Sequence, residues 1–406
     1  MARIVMKFGG TSVGDVERIK NVARRVAAEV ESGSTVAVVV SAMSGATNQL
    51  VEWCRQVAPL YDNREYDTVV ATGEQVTIGL LAMALQEIGV KARSWCGWQV
   101  PVRTDEVHGK ARITAIDTEA LDQSLAAGEV AVVAGFQGIG PDGRITTLGR
   151  GGSDTSAVAL AAALGAERCD IYTDVDGVYT TDPRIVAKAR KLDRITYEEM
   201  LELASVGAKV LQTRSVEMAM KHRVRVQVLS SFVDAPGTLV CDEDEIVEQE
   251  LVSGIAYSRD EAKITLVGVP DRPGVAAGIF GPLAEAAINV DMIVQNVSED
   301  GRSTDVTFTV GKADLERARQ VMDKTREKLD WGGLEADPAV VKISVVGVGM
   351  RSHAGIAQKM FQTLAAENIN IRLISTSEIK ISVLIDEKYT ELALRALHSA
   401  YGLDAV

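Results

Sequence analysis

Two hydrophobic patterns alternate along the first 240 or so residues, and this alternation narrows the possible folds more than any other feature. Short strand-like runs recur at Arg3 to Phe8, Thr35 to Val40, Val130 to Ala134 and Arg168 to Thr173, and the second of them is mostly β-branched. The first two end in the glycine-containing turns Gly9-Gly10 and Ser41 to Gly45, and helical spacing follows each turn. Strands that alternate with helices predict a mainly parallel α/β sheet with right-handed crossovers. Ligands of such sheets bind at the carboxyl ends of the strands, where these glycine turns lie.

The C-terminal part of the chain contains an internal repeat. Ile264 to Val269 matches Ile343 to Val348, and Gly274-Val275-Ala276 matches Gly355-Ile356-Ala357. Each copy has the pattern strand, loop, helix, strand, strand, helix, which is typical of small βαββαβ units. Paired units of this kind commonly enclose a ligand or a subunit interface. We therefore expect this half of the chain to be a sensor.

The boundary between the two halves is expected after Pro236-Gly237, where the acidic stretch Asp242 to Glu245 makes a poor core element. The predicted domains are residues 1–245 and 246–406. Within the second domain, the two repeat units are expected at about 262–335 and 340–406.

Composition and charge exclude several classes of function. The formal net charge of −13 disfavours nucleic-acid binding, which requires clustered Lys and Arg. No apolar run appears long enough to be a membrane span, and we find no signal-peptide pattern. Neither the cysteines nor the histidines have the spacing of a metal site, so we expect no protein-bound metal centre and a reducing, cytoplasmic setting. These residues are Cys54, Cys96, Cys169, Cys241, His108, His222, His353 and His398.

Three segments combine glycine with charged or hydroxyl side chains. Lys7 to Ser12 places an ammonium group at a strand end before Gly9-Gly10, which suits a phosphate chain, although a plain turn has the same residues. Arg150 to Ser156 offers a guanidinium fork for a carboxylate, whereas the alternative is that Ser153 or Asp154 caps a helix. Thr173 to Arg184 suits a nucleotide pocket, but its Asp-Gly and Asp-Pro pairs also describe turns.

Familiar nucleotide-binding motifs do not explain these segments. Gly138 to Gly143 formally satisfies GxGxxG, yet its Pro-Asp-Gly core predicts a hairpin turn, so we reject a dinucleotide fold. A Walker loop and the protein-kinase HRD and DFG signatures are absent from the sequence.

Taken together, four motifs in this order resemble the aspartate kinases, a family with the amino-acid kinase fold. They are Lys7 to Ser12, Thr72-Gly73-Glu74, Arg150 to Asp154 and Thr173 to Pro183. Val269 to Gly274 and Ile374 to Glu378 resemble the paired ACT domains of that family. Thr72 departs from the pattern, because many relatives carry Arg before Gly-Glu. The resemblance covers nearly the whole chain and implies a three-layer α/β kinase domain followed by two ferredoxin-like ACT units.

The resemblance also implies roles for individual residues. Lys7 and Lys209 would neutralise the transferring phosphoryl group, and Asp154 would orient these lysines. Gly9, Gly10 and Ser41 would line the phosphate path. The aspartate substrate would contact Thr47, Glu74, Arg150, Gly151, Gly152 and Ser153. The nucleotide, ATP with Mg²⁺, would contact Thr173, Asp174, Tyr179 and Arg184 in addition to Lys7, Gly9, Gly10 and Lys209.

The implied reaction produces 4-phosphoaspartate, the first intermediate towards lysine, threonine and methionine. Feedback inhibition by lysine, threonine or both is implied, as is a homo-oligomer associated through the ACT units. The matching effector positions are Asp271, Gly274, Val275, Ala276, Asn289, Asp291, Gln295, Gly355, Ile356, Asn370 and Ser377, some of which shape turns or fill the core instead. Two alternatives stay open: a kinase acting on glutamate, acetylglutamate or a nucleoside monophosphate, and a non-catalytic amino-acid sensor.

Overall fold

The structure, a computed structural model, describes residues 2–207, 210–246, 251–297, 303–353 and 355–404. The chain divides into two compact units. The first comprises Met1–Val178, Lys191–Ala204 and Lys209–Val247, and the second comprises Tyr179–Arg190, Ser205–Ala208 and Glu248–Val406. In the sequence, the short segment Tyr179–Arg190 lies between two parts of the first unit, but it belongs to the second unit.

The first unit has a central sheet and a small second sheet, both covered by helices. Its strands are β1 (Arg3–Phe8), β2 (Thr35–Val40), β3 (Ala92–Trp95), β4 (Val102–Thr104), β5 (Ile113–Ile116), β6 (Val130–Ala134), β7 (Gln137–Ile139), β8 (Ile145–Thr147), β9 (Arg168–Thr173), β10 (Arg194–Thr196), β11 (Val226–Ser230) and β12 (Thr238–Cys241). Its helices are α1 (Val16–Glu31), α2 (Ala46–Val57), α3 (Asn63–Val70), α4 (Thr72–Glu87), α5 (Glu119–Ala126), α6 (Gly152–Ala163), α7 (Tyr197–Ser205) and α8 (Thr213–His222).

The central sheet has eight strands in the order β10-β12-β11-β9-β1-β2-β6-β3. The pairings are parallel except between β11 and β12. Strands β1, β2 and β6 are buried along almost their whole length, which explains their continuous Val and Ile runs, since helices cover both faces of a parallel sheet. The α/β fold predicted from the alternating pattern is confirmed.

Helix α1 illustrates how the sequence fixes one of the covering helices. The side chain of Asp15 caps the helix by accepting a hydrogen bond from the backbone N–H of Arg18. Its apolar residues recur every three or four positions, so a single face packs on the sheet with Ile19, Val22 and Val26 buried. Burial of each such side chain stabilises the fold by about 1.5–3 kcal/mol.

One helical stretch, residues 63–87, is long and apolar enough to cross a membrane by length and composition alone. A buried core helix of a folded protein meets the same criterion. Half of the most apolar window of this stretch is buried inside the protein. The stretch consists of α3 and α4 in succession, and the apolar residues Ile78, Leu81 and Leu85 of α4 belong to the core of the first unit.

In the described part of the second unit, one six-stranded sheet is accompanied by four α-helices. Its elements are β13 (Gly254–Pro270), α9 (Val275–Glu285), β14 (Val290–Val297), β15 (Ser303–Val310), α10 (Leu315–Leu329), β16 (Gly333–Val346), α11 (Ile356–Ala366), β17 (Ile371–Thr376), β18 (Lys380–Asp386) and α12 (Thr390–Ala400). The strand order is β14-β15-β13-β16-β18-β17. Both repeats thus have the element order predicted from the sequence.

The two repeats share their longest strands. The N-terminal part of β13 pairs with the C-terminal part of β16, from Gly254 opposite Val346 to Ser258 opposite Lys342. The C-terminal part of β13 pairs with the N-terminal part of β16, as at Val267 opposite Gly333. The N-terminal part of β16 follows α10 and so completes the first repeat, whereas the N-terminal part of β13 adds a strand beside the second repeat. The pairing of β13 with β16 thus joins both repeats in one sheet.

An ion cluster with a buried lysine and a buried glutamate connects three strands of this sheet. The ammonium group of Lys342 on β16 lies 2.7 Å from a carboxylate oxygen of Glu261 on β13 and 2.6 Å from one of Asp291 on β14. The side chains of Lys342 and Glu261 are only 6% and 8% exposed. Charges removed from water to this extent are tolerated only when they are paired.

We predict that Lys342→Met lowers the free energy of unfolding by about 3 kcal/mol or more, because it leaves the Glu261 carboxylate buried and unpaired. Chemical denaturation of the full chain measures this change. Lys388→Met, which removes a lysine from an exposed pair with Asp386, is the matched control and should have little effect. Equal effects of the two substitutions would show that the buried cluster does not stabilise the sheet.

Candidate active site

A cavity of about 440 Å³ opens in the first unit where the strands β1, β2 and β6 end. The N-termini of α2, α4 and α6 point towards the same place, since residues of their first turns line it. Its lining residues are Lys7, Gly10, Thr11, Ser41, Ala42, Met43, Ser44, Gly45, Thr47, Asn48, Glu74, Phe136, Gly149, Arg150, Gly151, Gly152, Ser153 and Asp154. This is the position at which parallel α/β sheets bind ligands.

An ion pair between Lys7 and Asp154 lies in this cavity. The ammonium nitrogen of Lys7, near the end of β1, is 2.6 Å from a carboxylate oxygen of Asp154 in the first turn of α6. The two side chains are 10% and 11% exposed. Because water screens a pair this buried only weakly, the ammonium group is held in place and its field reaches into the cavity.

Glu74 contributes a second carboxylate, in the first turn of α4. One of its oxygens accepts a hydrogen bond from the backbone N–H of Ala42 at 3.0 Å, and the other is buried with no partner among the described residues. Burial raises the pKa of Glu74 to about 7, although the bond from Ala42 opposes this shift. An unpartnered buried carboxylate oxygen at a cavity wall is suited to a cationic ligand group.

Gly73 allows Glu74 to reach this position. A Cβ atom at residue 73 would lie 2.7 Å from the Cβ atom of Ala42, closer than two non-bonded carbon atoms can approach. The absence of a side chain therefore lets α4 pack against the turn after β2. The backbone N–H of Ala42 is then within hydrogen-bond distance of Glu74.

Two helices present uncapped N-termini to the cavity. The residues before α2 and α6 are Gly45 and Gly151, with φ angles of 83° and 70°, and neither helix has a side-chain capping bond. The alternative that Ser153 or Asp154 merely caps α6 is therefore not what the structure shows. Helix N-termini that no side chain caps, together with the helix dipole, favour an anionic ligand.

This cavity is lined by every residue predicted to bind the substrate, together with Lys7, Gly10 and Asp154 from the predicted catalytic and nucleotide-binding sets. The predicted substrate-binding residues are Ser41, Thr47, Glu74, Arg150, Gly151, Gly152 and Ser153. Gly9, Thr173 and Asp174 belong to the same unit but are not among its lining residues. Tyr179 and Arg184 belong to the second unit, where Arg184 pairs with Asp182. Lys209 lies outside the described residues.

The cavity also contains residues that sequence reasoning missed. Asn48 and Met43 adjoin motifs already selected, so proximity in sequence was their only signal. Phe136 directly follows the β6 strand and Gly135, and its φ angle of 67° is uncommon for a residue with a side chain. No periodicity or motif in the sequence distinguishes it.

The positions predicted for an effector all lie in the second unit. Gly274 and Gly355 occupy equivalent places before α9 and α11, with φ angles of 94° and 101°, as the repeat requires. Val275 and Ile356 are buried, so they fill the core. The remaining predicted effector positions are exposed: Asp271, Gly274, Ala276, Asn289, Asp291, Gln295, Gly355, Asn370 and Ser377.

Comparison with known proteins gives consistent matches in both units. The amino acid kinase family matches residues 2–230, and ACT domains match residues 263–327 and 343–401. Aspartate kinases of Stutzerimonas stutzeri and Pseudomonas putida are 58% and 57% identical over 406 residues, which is 100% of this chain and 98% of each relative. The aspartokinase of Helicobacter pylori strain J99 is 50% identical over 405 residues, 99% of each chain.

Solved structures of similar fold include Escherichia coli aspartokinase III in two states. Its complex with aspartate and ADP, the R-state, has a TM-score of 0.82 and 28% identity, covering 98% of this chain and 99% of that chain. Its complex with lysine and aspartate, the T-state, has a TM-score of 0.77 and covers 98% of both chains.

The raised pKa of Glu74 predicts how stability depends on pH. In the unfolded chain this carboxyl group titrates near 4.5, whereas the folded protein retains the proton up to about pH 7. Its burial therefore costs nothing below about pH 4.5 and destabilises the fold increasingly as the pH rises to 7, by about 3 kcal/mol at most.

We expect Glu74→Gln, which cannot ionise, to become more stable relative to the wild type across this window. Chemical denaturation at several pH values checks the difference, and Glu87→Gln, exposed on the same helix, controls for loss of a charge. A wild-type-to-variant difference that stays constant between pH 4.5 and 7 would contradict the raised pKa.

Proposed function

The chain belongs to the aspartate kinase family, and on this premise we propose that it transfers the γ-phosphoryl group of ATP to the side-chain carboxylate of L-aspartate. The products are 4-phospho-L-aspartate and ADP. The observation that carries the proposal is the cavity at the strand ends, where the buried Lys7–Asp154 pair faces the Glu74 carboxylate and two uncapped helix N-termini.

Charge explains what this cavity must accomplish. The attacking carboxylate and the ATP phosphates are both anions, so their approach requires neutralisation and positioning. Lys7, held by Asp154, supplies a fixed positive charge, and the N-terminus of α6 supplies backbone donors. No general base is required, because a free aspartate carboxylate has a reference pKa of about 3.9 and is ionised at neutral pH.

The cavity lining suits the two remaining groups of an amino acid. The free oxygen of Glu74 accepts a hydrogen bond from the substrate ammonium group. Arg150 can bind a carboxylate through its guanidinium fork, assisted by Thr47 and Ser153, which line the same cavity. Together, these contacts orient the side-chain carboxylate towards Lys7.

The nucleotide is proposed to be ATP with Mg²⁺, supported by the ADP complex of the E. coli neighbour. Among the described residues there is no group of three or more His, Cys, Asp or Glu side chains that could hold a metal ion. Mg²⁺ would therefore be held largely by phosphate oxygens, and Asp154, which contacts Lys7 in the cavity, would be the protein carboxylate available to it. Bound Mg²⁺ supplies further neutralisation of phosphate charge. Gly9, Gly10, Thr173, Asp174, Tyr179, Arg184 and Lys209 are the proposed nucleotide contacts.

We propose that the second unit senses lysine, threonine or both as end products of the pathway that 4-phosphoaspartate begins. The support is the pair of ACT matches and the lysine bound to the E. coli neighbour in its T-state. Inhibition requires that the effector bind one enzyme state more tightly than the other. We expect the chain to form a homo-oligomer through its ACT units. We also expect a cytoplasmic setting, in which all four cysteines stay free thiols.

One assay separates this function from its competitors. ADP release is measured with aspartate, glutamate, acetylglutamate, UMP or no acceptor, and then with lysine and threonine added. Aspartate-dependent ADP release that either effector lowers supports the full proposal. Release with another acceptor reassigns the substrate, and no release with any acceptor indicates a sensor without catalysis.

For Lys7→Ala we expect kcat to fall by about 10² to 10³, because removing one charged group that stabilises a transition state has effects of this size. Aspartate affinity should change much less. Steady-state kinetics and aspartate binding measure the two effects. Lys20→Ala, which removes an exposed lysine from α1, is the control. Near-normal turnover of Lys7→Ala would exclude the proposed role.

A further inference from the structure

Asp67 is a fully buried carboxylate that the proposed mechanism does not use. It lies on α3 with 0% exposure, yet the described residues include no lysine or arginine that pairs with it. Its partners are hydrogen-bond donors: the ring Nδ1 of His108 at 2.7 Å, the backbone N–H of Gly109 at 3.1 Å and the hydroxyl group of Thr147 at 2.5 Å. A buried carboxylate is costly without such bonds, so Asp67 holds three groups from two distant segments.

The two segments meet just before the cavity. Thr147 is the last residue of β8, and its carbonyl oxygen accepts a hydrogen bond from the N–H of Ala111 at 2.9 Å. At Gly149, whose φ angle is 77°, a Cβ atom would lie 3.1 Å from the carbonyl oxygen of Gly109. The segment around residues 108–111 therefore packs directly against residues 147–149. Gly149 itself lines the cavity.

Leu148 is fixed from two further sides. Its N–H donates to the carbonyl oxygen of Phe136 at 2.9 Å, and its carbonyl oxygen accepts from the guanidinium group of Arg214 at 2.6 Å. The same guanidinium group bonds to the carbonyl oxygen of Ala111 at 3.0 Å. These hydrogen bonds fix the backbone up to Leu148, which directly precedes Gly149 and Arg150.

Arg150 depends on this backbone because its side chain has no anchor of its own. It is exposed, and within the described part of the chain its guanidinium group has no recorded ion pair or hydrogen bond. The direction in which Arg150 enters the cavity is therefore set by residues 147–149. A displacement there changes where its guanidinium fork meets a ligand.

We propose that Asp67 is a positioning residue for the substrate carboxylate: with His108 and Thr147 it fixes the strand end that carries Arg150. This inference rests on the proposed function, because Arg150 is taken to bind the amino-acid substrate. It assigns Asp67, His108 and Thr147 an influence on substrate affinity although none of them lines the cavity.

Adjacent threonines on β8 provide a matched test. Thr146 and Thr147 are both fully buried, and each makes a side-chain hydrogen bond, Thr146 with the hydroxyl group of Thr104 at 2.7 Å and Thr147 with Asp67. Replacing either by Val removes one hydroxyl group at nearly constant volume. Only the Thr147 substitution breaks the connection to Asp67.

We expect Thr147→Val to raise the KM for aspartate about tenfold, as a small displacement of a positioning group does, while kcat and the KM for ATP change less than about twofold. Thr146→Val should leave all three constants near the wild-type values. Thr147→Ser, which restores the hydroxyl group, should recover aspartate KM. Thermal unfolding of the variants shows whether the two Val substitutions cost similar stability.

A second pair of variants keeps the test decisive if Thr147→Val does not fold. His108→Ala removes the side-chain hydrogen bond from residue 108 to Asp67, whereas His108→Asn retains a side-chain N–H near the position of Nδ1. We expect a higher aspartate KM for the alanine variant only. Unchanged aspartate KM in Thr147→Val and His108→Ala, or an equal rise in Thr146→Val, overturns the inference. Wild-type protein that fails to phosphorylate aspartate refutes the proposed function instead.

Discussion

The ion pair between Lys7 and Asp154 is the contact on which the arrangement of the first unit depends. It joins the end of a central strand to the first turn of α6, and both side chains are almost completely buried. A lone charge at this position would be strongly destabilising, so each partner requires the other. The pair thereby fixes the ammonium group at the strand ends. The neighbouring helix N-termini and the Glu74 carboxylate then provide complementary charge around one cavity.

Close backbone approach makes this concentration of charge possible. Gly73 brings α4 against the turn after β2, and Gly151 adopts a left-handed conformation at a point where a Cβ atom would overlap the side chain of Gln212. Further from the cavity, Asp67 and Arg214 hold the strand end that precedes Arg150. The exposed substrate-binding side chain is thus supported by buried polar contacts, which is how a rigid scaffold positions a mobile functional group.

The sequence was sufficient to predict the layered fold and most of the cavity, because both depend on local patterns. The buried parallel strands are short apolar runs, and the glycine-containing turns after β1 and β2, Gly9-Gly10 and Ser41 to Gly45, mark the site. Contacts between distant segments carry no such pattern. Nothing near Asp67 in the sequence indicates Thr147, and the pairing of β13 with β16 depends on register, which the repeat does not specify. Likewise, no local pattern in the sequence indicates that Tyr179 belongs to the second unit.

The buried carboxyl group of Glu74, whose pKa burial raises to about 7, is the group at the cavity wall that is suited to receive the substrate ammonium group. Calorimetric titration of aspartate at pH 7, repeated in buffers of different ionisation enthalpy, measures the protons exchanged on binding. With a pKa of about 7, Glu74 should release on the order of half a proton when the substrate ammonium group arrives, and Glu74→Gln should abolish the release. Binding by the wild type with no proton release, or with uptake, would contradict the account.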